Sequence, residues 1–83
     1  MKYIVTEQPD ADGLKEIFVF PEEVHHDCMA EAVSFIRNQS YGNWERIERK
    51  VVSAGFVRGG ECVGESETLG LKSDPEDTKL LGY

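Results

Sequence analysis

The segment from Glu22 to Arg37 is the clearest structural signal in the sequence, because its residues separate onto two sides of a helix. The apolar side consists of Val24, Cys28, Met29, Ala32, Phe35 and Ile36. The polar side consists of Glu23, Asp27, Glu31, Ser34 and Arg37. Acidic residues lie in the first turns of this segment and Arg37 lies in the last turn, an arrangement that the helix dipole favours. The pattern predicts an amphipathic helix lying on one face of a sheet.

The residues before this helix predict a β-hairpin. Lys2–Thr6 and Lys15–Phe20 are rich in β-branched and aromatic residues. Asp12 and Gly13 between them suit a tight turn. Pro21 ends the second strand, since proline cannot donate a ladder hydrogen bond.

The residues after the helix predict a second hairpin. Trp44–Val57 alternates as a long strand, in which Gly55 marks a bulge or a close backbone approach, although its first part also fits a helical turn. Gly59 and Gly60 form the turn, and Glu61–Thr68 returns as a fourth strand.

The last segment predicts a short helix over Pro75–Leu81, with Asp74 as its capping acceptor and Leu80 and Leu81 packed on the body. The whole chain, 1–83, then forms one α+β domain. The expected architecture is a two-layer sandwich in which an antiparallel sheet, in the order β-β-α-β-β, carries one main helix.

The net charge of -7, from 16 acidic and 9 basic residues, argues against nucleic acid and anionic membranes as direct partners. It favours a protein with a basic surface. The longest apolar run, Ile17–Phe20, is too short to span a bilayer, and no leader segment is visible. We therefore expect a cytoplasmic protein with reduced cysteines and no cofactor.

Candidate metal ligands cluster near the start of the predicted helix. His25 falls near the middle of the predicted apolar face, three residues before Cys28, and Cys62 could join them from a strand. Zinc needs about four protein ligands, or three with an open position, and no CxxC or HExxH spacing is present. The favoured interpretation is a buried histidine bonded to a backbone carbonyl.

A catalytic site is not predicted. Ser66 lies in the sequence GESET, which only superficially resembles a hydrolase nucleophile loop. No histidine is placed by the sequence to activate its hydroxyl.

Two groups of acidic residues are candidates for protein binding. Glu61, Glu65 and Glu67 alternate along the predicted fourth strand and would project from one face. The helix offers Glu23, Asp27 and Glu31. Among the aromatic residues, Tyr41 and Trp44 could provide an apolar anchor.

Two stretches, Ser53–Thr78 and Ile17–Asp27, resemble small uncharacterised proteins encoded by phages and prophages. The resemblance covers under half of the chain and defines no functional residue. It implies an accessory protein of a phage or mobile element, for example a protein that blocks a host defence complex.

Three hypotheses follow from the sequence. The leading one is a non-catalytic module that offers an acidic face to a basic protein. The second is a metal-dependent regulator or small enzyme that uses His25, Cys28 and Cys62. The third is a homo-oligomer that pairs through an exposed sheet edge or face.

Overall fold

The computed structural model describes residues 1–7, 13–38 and 50–82, with the side chains of the main helix described as far as Val33. The elements in chain order are β1 (Lys2–Glu7), β2 (Lys15–Phe20), α1 (His26–Asn38), β3 (Lys50–Arg58), β4 (Glu61–Val63), β5 (Glu65–Ser66), β6 (Leu71–Lys72) and α2 (Asp77–Leu80). Four of the strands form an antiparallel sheet in the order β2-β1-β3-β4, and β5 pairs with β6. The described residues therefore form a small α+β domain with two short helices.

Strand β1 lies between β2 and β3, and its central residues Tyr3, Ile4 and Val5 are fully buried. It pairs with β2 from Lys2 opposite Phe20 to Glu7 opposite Lys15, which confirms the predicted first hairpin. Gly13, in the connection between the two strands, has a positive φ of 56°, as predicted for this residue. Its predicted neighbour Asp12 lies outside the described residues.

Apolar side chains pack on both faces of the sheet. The cluster that includes α1 consists of Ile4, Phe20, Val33 and Ala54. The other cluster consists of Tyr3, Val5 and Cys62, with Leu80 and Leu81 packed against it. Successive side chains of β1 point to opposite faces, so these two clusters lie on opposite sides of the sheet. The predicted anchoring of the last segment through Leu80 and Leu81 is confirmed, although α2 begins at Asp77 rather than Pro75.

The main helix begins later than the sequence predicted. Residues 22–24 form a turn in which the Val24 amide donates to the Pro21 carbonyl oxygen, and the helix starts at His26. Among the α1 side chains that the structure describes, the apolar ones that face the core are Met29, Ala30 and Val33. Cys28 and Ala32, placed on the apolar side by the sequence, are exposed. The buried stripe of α1 therefore runs through His26, Met29, Ala30 and Val33, one residue further around the helix than the predicted one.

The predicted fourth strand is wrong beyond Val63. Strand β4 ends there, and Gly64 follows with a φ of 79°, a left-handed conformation that interrupts the strand. The chain then leaves the main sheet, and Glu65 and Ser66 pair with Lys72 and Leu71 instead.

The third strand is confirmed from Lys50 to Val57 and extends one residue further, to Arg58, while its predicted beginning at Trp44–Arg49 lies outside the described residues. The predicted turn at Gly59 and Gly60 is confirmed. Gly55 marks a close backbone approach, because a Cβ added there would collide with the Val63 carbonyl oxygen. The bulge lies elsewhere, at a register shift between Val5 and Thr6.

Candidate functional site

A buried imidazole joins the start of α1 to the sheet. His26 is only 5% exposed, and its Nε2 lies 2.8 Å from the carbonyl oxygen of Gly55. A carbonyl only accepts hydrogen bonds, so Nε2 carries the proton and donates it. The ring packs edge-to-face against Phe20 and Phe56, with centroid distances of 5.6 Å to both. The sequence predicted this kind of buried histidine at position 25, whereas the structure places it at position 26, and His25 is exposed.

An open groove of about 390 Å³ lies beside this imidazole. Its walls come from the start of α1, from β1 and β3, and from the turn that follows β5. The lining residues are Lys2, His25, His26, Phe56, Glu65, Ser66, Glu67 and Thr68. Phe56 supplies the apolar part of the surface, and Glu65 and Glu67 supply carboxylates. The groove therefore combines an aromatic wall with two carboxylates and the side chain of Lys2.

The turn after β5 is held by side-chain hydroxyls. The Leu69 amide donates to the Ser66 hydroxyl oxygen at 3.3 Å, and that hydroxyl also lies 3.3 Å from the Thr68 hydroxyl. Ser66 is 2% exposed although it lines the groove. Its hydroxyl is engaged in shaping the turn, as serine often is in short loops.

The predicted row of Glu61, Glu65 and Glu67 is not a single face. Glu61 lies in β4, before the break at Gly64, whereas Glu65 lies in β5 and Glu67 in the turn beyond it. All three carboxylates are exposed. The groove brings Glu65 and Glu67 together and leaves Glu61 outside its lining, so we refer to Glu65 and Glu67 as the groove acids.

The other predicted acidic group lies at and before the start of α1. We refer to Glu23, Asp27 and Glu31 as the helix acids, and all three are exposed. Asp27 and Glu31 are four residues apart on α1 and so lie on the same side of the helix. The Asp27 carboxylate accepts a hydrogen bond from the Cys28 amide at 3.0 Å, a short-range contact at the helix start. Tyr41 and Trp44, the predicted aromatic anchors, lie outside the described residues.

Two other acids, Glu22 and Glu76, form ion pairs with cations. Glu22 accepts from both Arg58 and the N-terminal ammonium, and these two cations hold the pKa of its carboxyl below its ordinary value. Glu76 pairs with Lys79 at 2.9 Å. In the described ranges, no ion pair is formed by the groove acids, the helix acids or Glu61.

The residues considered as metal ligands are not brought together. Cys28 is exposed on α1, whereas Cys62 is buried in the apolar cluster on the opposite face of the sheet. Within residues 1–7, 13–38 and 50–82, no three His, Cys, Asp or Glu side chains are placed to hold a metal ion. The described structure therefore does not bring His25, Cys28 and Cys62 together.

A second polar cluster is buried beneath α2. The Tyr3 hydroxyl donates to the Asp77 carboxylate at 2.6 Å, and the Asp74 amide donates to the same oxygen at 2.9 Å. Burial raises the pKa of the Tyr3 phenol well above its ordinary value, and the hydrogen bond to the Asp77 carboxylate adds to this. Burial also raises the pKa of the Cys62 thiol, with a further contribution from the charge of Asp77. The cluster keeps the phenol and thiol neutral, and it fixes the last segment to the sheet.

Neither helix in the described part of the chain has the length and apolar character needed to cross a bilayer.

Comparison of the chain with protein-family models, curated proteins and solved structures finds no significant match.

Sequence reasoning missed both His26 and Asp77. The signal for His26 was present, because His26, Met29, Ala30 and Val33 follow the helical spacing as well as the predicted set does. For Asp77 the sequence indicated only acid at a helix start, and its burial depends on Tyr3 at the other end of the chain.

Proposed function

We propose that this protein is a non-catalytic binding module that offers exposed carboxylates to a basic surface on a larger protein. The observation that carries the proposal is the exposure of the helix acids and the groove acids without an ion pair in the described part of the chain. Exposed carboxylates that form no ion pair leave a negative potential that attracts a positively charged partner and orients it during approach.

The distribution of basic residues supports the same proposal. Arg58 and Lys79 are both engaged with acids outside the two groups, Arg58 with Glu22 and Lys79 with Glu76. These pairs neutralise other acids, whereas the described cations form no ion pair with the helix acids or the groove acids, although Lys72 lies opposite Glu65 in the pairing of β5 with β6. A partner with clustered lysine or arginine residues would complement that pattern.

The state of the nucleophilic side chains supports a role without catalysis. The Ser66 hydroxyl accepts from the Leu69 amide, and the Cys62 thiol has a raised pKa that disfavours the reactive thiolate. Cys28 is exposed, but no described contact of its thiol would activate it.

The proposal also includes the location, the class of partner and the two-layer architecture that the sequence predicts. The resemblance to phage and prophage proteins suggests an accessory protein of the cytoplasm whose partner handles nucleic acid or belongs to a host defence system. The predicted sandwich of sheet and main helix would then serve as a rigid support for the acidic groups. Self-association through an exposed sheet edge or face is the alternative proposal for this protein.

Reversing charge at each acidic group separately tests the proposal. We expect one of two variants, Glu23→Lys/Glu31→Lys or Glu65→Lys/Glu67→Lys, to weaken binding of the native partner by about tenfold or more. The native partner is first captured from a lysate of the native cells on immobilised wild-type protein at low salt and is then eluted with salt. The affinity of the eluted protein for wild type and for each variant is measured at equilibrium.

The two variants control for each other, because they change the net charge equally at different places. Loss of the partner by one of them and not by the other locates the binding face. Undiminished binding by both, or a retained protein whose surface is acidic, contradicts the proposal.

A further inference from the structure

We propose that residues 74–82 form a strap that opens while the sheet stays folded, and that this opening controls access to the Cys62 thiol. The Asp77 carboxylate is the latch that holds the strap closed. The inference goes beyond the proposed function, because it concerns the face of the sheet opposite α1 and none of the acids offered to a partner. It is carried by the contacts of the strap, by its shallow burial and by the side chains beneath it.

The strap has local structure of its own. The Asp77 amide donates to the Asp74 carbonyl oxygen at 2.9 Å, and the Asp74 carboxylate accepts from the Glu76 amide at 2.9 Å. Just before the strap, the Ser73 amide donates to the Gly64 carbonyl oxygen at 2.9 Å, which fixes the chain where the strap begins. None of these bonds joins the strap to the sheet, so the strap can lift as one unit about Ser73.

The strap is only lightly buried against the sheet. Asp77 is the one buried residue within 74–82, while Thr78, Leu80 and Leu81 are half-buried and the others are exposed. The helix α2 has only four residues, so it depends on its contacts with the body of the domain. Segments with few buried apolar contacts open at a lower free energy than the core of a domain.

The attachment of the strap to the sheet is concentrated at Asp77. Its carboxylate accepts from the Tyr3 hydroxyl at 2.6 Å, and Tyr3 is fully buried in the central strand β1. The Cys62 amide adds a bond to the Thr78 hydroxyl at 3.1 Å. A hydrogen bond to a charged acceptor is about twice as strong as a neutral one, so the bond to Asp77 contributes more than the bond to Thr78. Loss of the Asp77 carboxylate should therefore release the strap.

The strap covers the Cys62 thiol. The helix α2 contacts β4, the strand that carries Cys62, and Leu80 and Leu81 pack against the apolar cluster to which Cys62 belongs. Burial raises the pKa of this thiol and keeps it in the unreactive protonated form. Opening of the strap brings the thiol into water and removes the main cause of the raised pKa. The exposed Cys28 needs no such step.

The test is thiol labelling of a Cys28→Ser protein, in which Cys62 is the remaining cysteine. With an aromatic disulfide as reagent, the Cys62 thiolate attacks one sulfur, a mixed disulfide forms and the coloured aromatic thiolate leaves. We expect labelling to be slower than in the urea-unfolded chain by about a hundredfold or more, because only the open fraction reacts. The rate should stay nearly constant at low urea and rise steeply only near the unfolding transition, since strap opening exposes little surface.

Three variants in the same Cys28→Ser background test the latch. Asp77→Ala should raise the labelling rate without urea by about tenfold or more, and the faster rate should keep its shallow dependence on urea. Tyr3→Phe removes the same hydrogen bond from the side of the sheet and should also accelerate labelling, which provides a second test if Asp77→Ala does not fold. The matched control is Glu76→Ala, which removes an exposed carboxylate of the strap and should change the rate by less than about twofold.

Three results would overturn the strap proposal. A labelling rate that rises steeply from the lowest urea concentrations means that Cys62 reacts only after global unfolding. Equal rates with and without the bond between Tyr3 and Asp77 mean that this bond is not the latch. Labelling as fast as in the unfolded chain means that the strap does not cover the thiol. The acidic binding module is tested separately, by charge reversal at other residues.

Discussion

Replacing Asp77 with alanine is expected to lower the free energy of unfolding by about 3 kcal/mol, because the change removes a charged hydrogen bond and leaves a buried phenol without an acceptor. The Asp77 carboxylate is 2% exposed and accepts from the Tyr3 hydroxyl and from the Asp74 amide. A domain of this size has only about 4–8 kcal/mol of total stability, so the loss is a large part of it. Urea unfolding followed by far-ultraviolet circular dichroism measures the change.

Two further variants separate this cause from a general effect of losing an acid. Glu76→Ala removes the neighbouring carboxylate, which is exposed and pairs with Lys79 at the surface, and should leave the unfolding midpoint almost unchanged. Tyr3→Phe removes the same hydrogen bond from the other side. Its cost should not add fully to that of Asp77→Ala, because the two changes share one interaction. An Asp77→Ala protein as stable as wild type contradicts this account.

Replacing Gly55 with alanine is expected to cost about 3 kcal/mol, because the added methyl group has no room in the sheet. It would collide with the Val63 carbonyl oxygen of the neighbouring strand and press on the Tyr3 ring. Both neighbours are held in place, one as backbone and the other as a fully buried side chain. The backbone of β3 would therefore have to shift, and this shift would move the Gly55 carbonyl away from His26 Nε2. Thermal and urea unfolding measure the loss.

Gly70→Ala is the matched control for the Gly55 substitution. A Cβ at Gly70 would meet no atom within 4 Å, but the backbone there has a φ of 65°. The expected cost is therefore only about 1 kcal/mol, from the backbone conformation alone. Equal costs at the two positions would show that the contact at Gly55 is not the cause.

The local elements of the fold were predictable because their signals are local. Alternation and turn residues were sufficient for the hairpin of β1 and β2 and for the turn at Gly59 and Gly60. The close approach of the Val63 backbone to Gly55 was also predictable, although its partner was not, since glycine inside a strand often marks an approach by another backbone.

The start and rotation of α1 were not predictable from periodicity alone. Two overlapping stripes fit the helix, one through His25 and Cys28 and the other through His26 and Met29. The choice between them depends on the Gly55 carbonyl oxygen, an acceptor far along the chain that only the folded sheet brings to His26. The sequence indicated a buried histidine and could not say which of two neighbours it was.

The candidate site was predicted only in part for a similar reason. The exposure of the acids follows from their chemistry, and all six described candidates are exposed. Their grouping depends on Gly64, whose left-handed conformation separates Glu61 from Glu65 and turns the chain back towards His26. Glycine also occurs within ordinary strands and turns, so its presence did not predict this break.

The most direct test of the central claim is the salt dependence of binding to the native partner. If carboxylates without ion pairs drive recognition, the affinity of wild type should fall by about tenfold or more between low and physiological salt, as screening weakens the attraction. Neutralising the acidic group that binds the partner should make that dependence shallower. An affinity that does not change with salt, and that survives neutralisation of both the helix acids and the groove acids, would contradict the claim.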